Sequence, residues 1–229
     1  MAAKPAAESC RLRHHSLERE SIAGLPVASA EQTLVELARD LSLVDLVPMV
    51  DRAVALGADV DRTLRLARRQ RGAQRLRQAV ALADPRSESW WESVMRLLHV
   101  CSGLGPVESQ VEITDGGVLV ARADLHLVGT ARFPECDGGE HRDKSRHGAD
   151  LRREKAMRRL GADRFGYTTW EIEHQPDMIV RDGETARGWP ADARRVADWR
   201  RISRDSTLTP HGRARLAARL ARYRAAANG

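Results

Sequence analysis

Three acidic residues in the middle of the chain have the spacing of a cation-binding site. Asp124 lies in an alternating segment, 118–127, whose other face is apolar, so its side chain is expected on the polar face of a strand. Glu135 lies on the next predicted strand, and Asp137 follows two residues later in the same phase. Pairing of these strands would bring the carboxylates together at one edge of a sheet.

Such a cluster is unfavourable unless a cation or a proton relieves the repulsion between the carboxylates. Oxygen ligands suit Mg²⁺ or Mn²⁺, which stabilise charge on a phosphodiester and acidify an attacking water. Glu92, near the start of a predicted helix, would add a further contact. His141 follows Asp137 by four residues and would transfer a proton or contact a phosphate.

Each acid also has a simpler interpretation. Asp137 followed by Gly138 is typical of a turn, and Asp124 alone fits a solvated strand residue. The combination of Asp124 with Glu135 and Glu92 favours a metal site. His141 alone does not indicate a ligand.

Charge is segregated along the chain. The 229 residues contain 38 Lys and Arg against 32 Asp and Glu, giving a net charge of +6. Segment 62–80 has seven arginines and no acid, and basic residues also prevail in 142–169 and 187–224. Basic flanks around an acidic centre predict a polyanionic partner. A solvated surface in an arginine-rich chain is the alternative interpretation.

The composition is that of a soluble globular protein. No apolar run approaches the roughly 18 residues of a membrane span, so no membrane association is expected, and no secretory signal is visible. The three cysteines are too few and too far apart for a disulfide framework. A reduced, cytoplasmic compartment is therefore expected.

The elements that would position the acids are predicted from periodicity and turn signals. Ser29 with Gln32, and Ser89 with Glu92, form two capping-box patterns that predict helix starts. Asp84-Pro85 predicts the C-terminal boundary of a helical region. Beyond this boundary the patterns predict a helix, strands over 107–114, 118–127 and 131–136, a basic helix over 150–160, a strand over 164–170, and helices over 191–203 and 209–226.

Several of these segments resemble one group in the PD-(D/E)XK nuclease superfamily, actinobacterial proteins with a domain related to the very short patch repair endonuclease. The resemblance covers roughly residues 84–171, and residues 26–83 are similar to an antitoxin-like helical region that precedes this domain. It rests on Asp84-Pro-Arg-Ser-Glu-Ser-Trp-Trp-Glu92, Ala121-Arg-Ala-Asp124-Leu, Phe133-Pro-Glu-Cys-Asp-Gly138 and Glu154-Lys155 before Leu160-Gly161.

The resemblance implies an α/β, mixed-sheet, restriction-endonuclease-like core. It assigns Glu92 as the helix acid, Asp124 as the central strand acid, Glu135 as the second acid and His141 as the Lys or His after the turn. Asp137 stands where many of these nucleases have lysine, and Cys136 replaces the usual aromatic residue. Thr169-Trp170 is expected at the end of the last strand.

The sequence thus predicts four regions: a poorly ordered lead-in (1–28), a helical region (29–84), an endonuclease-like α/β domain (85–171) and a basic, helical C-terminal extension (172–229). The expected function is divalent-metal-dependent DNA cleavage. The alternatives are a non-catalytic nucleic-acid-binding or antitoxin-like regulatory protein, and a decayed product with neither activity. The basic residues expected to neutralise DNA phosphates are Arg152, Arg153, Lys155, Arg158 and Arg159.

Overall fold

The computed structural model describes residues 19–137 and 153–227. Within these ranges the chain has a mixed α and β architecture, with helices predominating. The strands are β1 (Arg19–Ile22), β2 (Leu25–Ala28), β3 (Val107–Asp115), β4 (Val118–Leu127), β5 (Arg132–Asp137) and β6 (Asp163–Thr168). The helices are α1 (Ala30–Asp40), α2 (Leu43–Ala55), α3 (Val60–Leu66), α4 (Ala73–Ala81), α5 (Trp90–Cys101), α6 (153–159), α7 (Thr169–His174), α8 (Pro176–Ala186), α9 (Ala193–Ser203) and α10 (Pro210–Ala227).

Both predicted helix starts are confirmed. The Ser29 hydroxyl accepts the backbone N–H of Gln32 at 3.1 Å, and the Ser89 hydroxyl accepts that of Glu92 at 3.2 Å. Only half of each predicted capping box forms, because the Gln32 amide donates to Glu36 and the Glu92 carboxylate accepts from the backbone of Glu88. The bond from the Glu88 backbone places the Glu92 carboxylate at the N-terminus of α5.

The described strands form three two-stranded sheets. β3 and β4 make the predicted antiparallel hairpin, closed by Gly116 and Gly117, which both have positive φ. β5 and β6 pair in parallel, with α6 in the connection between them. Along β4 the buried residues Ala121, Ala123 and Leu125 alternate with more exposed ones, as the sequence predicts.

The last strand is shorter than predicted. It ends at Thr168, whose side chain and backbone form a complete capping box with Glu171 and start α7. Trp170 is therefore an exposed helical residue, not the end of a strand, and the strand position implied for Thr169-Trp170 is wrong. A Thr-x-x-Glu pattern inside a β-rich segment was the overlooked signal.

Two features have no counterpart among the predicted elements. β1 and β2 form a small hairpin, and α8 lies between the predicted strand and the two predicted C-terminal helices. The apolar pattern of α8 is short, and Gly183 interrupts it. That glycine is needed because an added Cβ would overlap the buried side chain of Leu104.

A single hydrophobic core includes residues from the helical region, from α5 and the strands, and from the C-terminal helices. Leu46, Leu98 and Ile179 represent these three parts and are fully buried. A smaller cluster packs Phe133 of β5 against Met157 of α6. No helix within the described ranges is long and apolar enough to cross a membrane.

Candidate functional site

Asp124 lies on β4 and links this strand to β5 by a side-chain hydrogen bond. Its Oδ2 accepts the backbone N–H of Cys136 at 2.8 Å, so a β4 carboxylate serves as the acceptor for β5. This bond places Asp124 beside the peptide that links Glu135 to Cys136. Two of the predicted acids are thus brought together, and their proximity depends on the contact between β4 and β5.

The charges of three acids interact at this point. Burial raises the pKa of Asp124 to about 6, and the negative charges of Glu92 and Glu135 act in the same direction. The Cys136 amide and the Arg153 guanidinium oppose the shift. Asp124 is therefore the acid that would gain most from a nearby cation.

Glu135 is buried and neutralised by two arginines. Its Oε1 accepts from Arg153 of α6 at 2.9 Å, and its Oε2 accepts from Arg164 of β6 at 2.5 Å. A guanidinium nitrogen of Arg164 also lies 3.5 Å from Asp137 Oδ1. Two guanidinium groups therefore lie beside Glu135, and one of them also lies beside Asp137.

Glu92 reaches the same region from the start of α5. Its Oε2 accepts the backbone N–H of Glu88 at 2.9 Å and the side-chain amide of Gln110 at 2.8 Å. Gln110 lies between Ser109 and Val111, which pair with Leu125 and Ala123, so it is across the hairpin from Asp124.

Gln110 is a site residue that sequence reasoning missed. Its φ is +54°, a conformation that costs a non-glycine residue on the order of 1–3 kcal/mol. In this conformation the amide side chain donates to the Glu92 carboxylate. No propensity or spacing signal marks this residue, because a polar residue on a strand is ordinary.

Asp137 lies over Gly166 of β6. A Cβ on Gly166 would overlap the Asp137 carboxylate, although the register pairs Gly166 with Glu135. The glycine at position 166 thus leaves room for an acid at the edge of the site.

Cys136 offers no nucleophile. Burial, followed by the charge of Asp124, raises the pKa of its thiol to about 12. A thiol with this pKa is expected to be protonated at neutral pH.

The predicted phosphate-contacting residues divide into two groups. Lys155, Arg158 and Arg159 are exposed on α6, with Arg158 bonded to Glu154 at 2.8 Å. Arg153 instead donates to Glu135 and to the Arg122 carbonyl. Arg152 and His141 lie outside the described residues.

Within residues 19–137 and 153–227, no group of three or more His, Cys, Asp or Glu side chains is arranged to hold a metal ion. Glu92, Asp124 and Glu135 are near enough to influence one another electrostatically, but they do not form a closed three-ligand cage.

Comparison with known proteins gives no match to a family model, to a curated protein or to a solved structure.

Proposed function

We propose that the protein is a divalent-metal-dependent DNA endonuclease of the PD-(D/E)XK type, with a restriction-endonuclease-like core. The observation that carries the proposal is Asp124, a partly buried acid fixed by the Cys136 amide between the charges of Glu92 and Glu135. Burying one acid between two others lowers the stability of the fold, so such an arrangement indicates a functional site.

The order of elements supports this proposal. α5, β3, β4, β5, α6 and β6 follow one another as helix, three strands, helix and strand, the order that the resemblance implies. Glu92, Asp124 and Glu135 come from the helix and from two of the strands.

The donor chemistry fits Mg²⁺ or Mn²⁺. Magnesium is usually held by one or two carboxylates while waters and substrate phosphates complete its shell, so a three-residue cage is not required. Glu135 is predicted as a ligand from the sequence, but both of its oxygens are bonded to arginines. Asp124 and Glu92 would therefore hold the ion. When bound, the ion would stabilise the developing charge on the phosphate and lower the pKa of the attacking water.

The chain's own residues would supply the remaining functions. Glu135 fixes Arg153 and Arg164 beside the acids, where their guanidinium groups would balance phosphate charge. The exposed Lys155, Arg158 and Arg159 would bind neighbouring phosphates. Cleavage would then proceed by in-line attack of water on the scissile phosphodiester.

The test is cleavage of supercoiled plasmid by the purified chain with Mg²⁺ or Mn²⁺, and with EDTA. Asp124→Asn should reduce cleavage at least about 100-fold, because the amide keeps an acceptor for Cys136 but loses the charge that attracts the ion. Asp115→Asn is the matched control, since Asp115 is an exposed acid at the hairpin turn, and this variant should cut like the wild type.

Thermal unfolding of both variants shows whether the fold is kept. A wild type that neither cuts DNA nor binds Mg²⁺ or Mn²⁺ by calorimetry would exclude the proposal. Cleavage that survives Asp124→Asn would place the active site elsewhere.

A second candidate is a non-catalytic nucleic-acid-binding or antitoxin-like protein. The pairing of both Glu135 oxygens with arginines favours it, because these ion pairs neutralise the acid without any metal. This candidate predicts salt-sensitive DNA binding that is equal in Mg²⁺ and in EDTA and unchanged by Asp124→Asn. The same plasmid and calorimetry experiments separate the two candidates.

A further inference from the structure

Four arginines from two distant parts of the chain lie together, and none of them belongs to the acidic site. Arg71 and Arg75 belong to the α3–α4 turn and to α4, and Arg215 and Arg219 lie one helical turn apart on α10. We call these four residues the α4–α10 arginine patch.

Two members of the patch are fixed by the end of α1. Arg75 Nη1 donates to the carbonyls of Ala38 and Leu41 at 2.9 and 2.8 Å. Arg219 Nη1 donates to the carbonyl of Arg39 at 2.8 Å. The C-terminal carbonyls of a helix carry the partial negative charge of the helix dipole. They therefore bind a cation but do not cancel its full positive charge.

The patch keeps an excess of positive charge. Asp205 lies 3.1 Å from Arg215, and Asp40 lies 3.5 Å from Arg219, which leaves two acids for four arginines. Burial and the positive charges of Arg215, Arg219 and Arg71 lower the pKa of Arg75, whereas Asp205 opposes this shift. Like charges held together in this way favour a polyanion.

Exposed arginines continue the patch. Arg68 and Arg69 precede Arg71 in the same turn, and Arg222 follows Arg219 on α10 by three residues, within the same face. The guanidinium group matches phosphate oxygens with two parallel hydrogen bonds. Anchored and solvent-exposed guanidinium groups side by side suit a repeating phosphate chain.

We propose that the α4–α10 arginine patch binds the phosphodiester backbone of a nucleic acid, as a contact surface separate from the acidic site. This inference rests on the nucleic-acid partner of the proposed function. It extends that function by assigning α10 and the helical region, rather than the α/β elements alone, to substrate binding.

The test is a fluorescence-anisotropy titration in EDTA with labelled duplex DNA and with single-stranded RNA of the same sequence. Arg71→Gln combined with Arg215→Gln should weaken binding at least about tenfold and lower the slope of log affinity against log salt by about 2, since each phosphate contact contributes about 0.9 for B-DNA. The stronger of the two probes identifies the polymer.

The matched control is Arg194→Gln combined with Arg201→Gln. Both are exposed arginines of α9 paired with neighbouring acids, so the charge change is the same. This variant should bind like the wild type. If the double variant unfolds, Arg71→Glu alone provides a second measurement. This substitution is at an exposed side chain and should also weaken nucleic-acid binding.

The inference is overturned if the patch variant binds as tightly as the control, or if the substitutions weaken binding to phosphatidylserine vesicles while leaving nucleic-acid binding unchanged. Binding that depends on the patch, without any metal-dependent cleavage, would support the inference and exclude the nuclease. Metal-dependent cleavage with binding that does not depend on the patch would support the nuclease and overturn the inference.

Discussion

At the scale of single residues, burial determines which charges can exist. Burial shifts the pKa values of Asp124, Cys136 and His99 in the direction that favours the neutral form of each side chain. Asp124 and Cys136 differ from His99 because the negative charges of nearby carboxylates add to the effect of burial on their pKa values. The sequence identified Asp124 and Glu135 as candidates, but the arginines that hold Glu135 could not be inferred from spacing, since Arg153 and Arg164 are distant in the chain.

His99 gives a prediction about pH. It is fully buried, its Nδ1 lies 2.8 Å from the Met95 carbonyl, and burial, together with the charges of Arg187 and Arg132, lowers its pKa from 6.5 to about 4. The unfolded chain therefore binds this proton more readily, and His99 should reduce the free energy of unfolding by up to about 3 kcal/mol as the pH falls from about 6.5 to 4.

Urea unfolding of the wild type and of His99→Gln across this pH range measures the effect. The variant should be less stable at pH 7 but should lose less stability on acidification, because it has no proton to gain. Parallel pH profiles for the two proteins would show that another group controls acid unfolding.

At the scale of elements, local signals predicted where several helices begin, and a side-chain cap decided where one strand ends. The Ser29 and Ser89 caps are both visible in the sequence. The end of β6 was missed because the Thr168 capping box competes with strand continuation. β1 and β2 were missed because their hairpin lacks alternating apolar residues.

Gly72 gives a prediction at this scale. It precedes α4 with a φ of +91°, and a Cβ there would overlap the backbone carbonyl of Ala38 in α1. Gly72→Ala should therefore combine conformational strain with a backbone clash and destabilise the protein by more than about 3 kcal/mol.

Gly57→Ala is the matched comparison. Gly57 has a similar φ of +96°, but nothing lies within 4 Å of an added Cβ, so only the strain, about 1–2 kcal/mol, should appear. Chemical denaturation of the two variants separates the two contributions. Equal losses would mean that α1 and α4 can move apart at no cost.

At the scale of the whole molecule, buried ion pairs and hydrogen bonds join the regions. Arg96 of α5 bonds Asp51 of α2 at 2.7 Å, and Ser93 bonds the same carboxylate at 2.6 Å. Asp45 of α2 accepts from Ser206 and Thr207, which lie before α10. The helical region, the α/β elements and the C-terminal helices therefore contribute to one interior.

Removing Arg96 tests this connection. Arg96→Met leaves the Asp51 carboxylate buried without its cation, and we expect a loss of about 3–5 kcal/mol in the free energy of unfolding. The exposed Arg158–Glu154 pair provides the control, because Arg158→Met should cost less than about 1 kcal/mol.

A single unfolding transition that shifts as a unit in Arg96→Met would agree with the shared core. Two separate transitions, with only one shifted, would instead show that the helical region and the α/β elements unfold independently.

The sequence by itself determined the mixed α and β class, the β3–β4 hairpin, most helix positions and the acids to examine, because capping, turn chemistry and periodicity act over a few residues. Only the tertiary structure decided that Cys136 donates to Asp124, that Arg153 and Arg164 neutralise Glu135, and that Arg75 and Arg219 both donate to the end of α1. Those contacts join residues far apart in the chain, and packing rather than local preference selects them. The physical reason is that burial makes each charge depend on neighbours that no local pattern records.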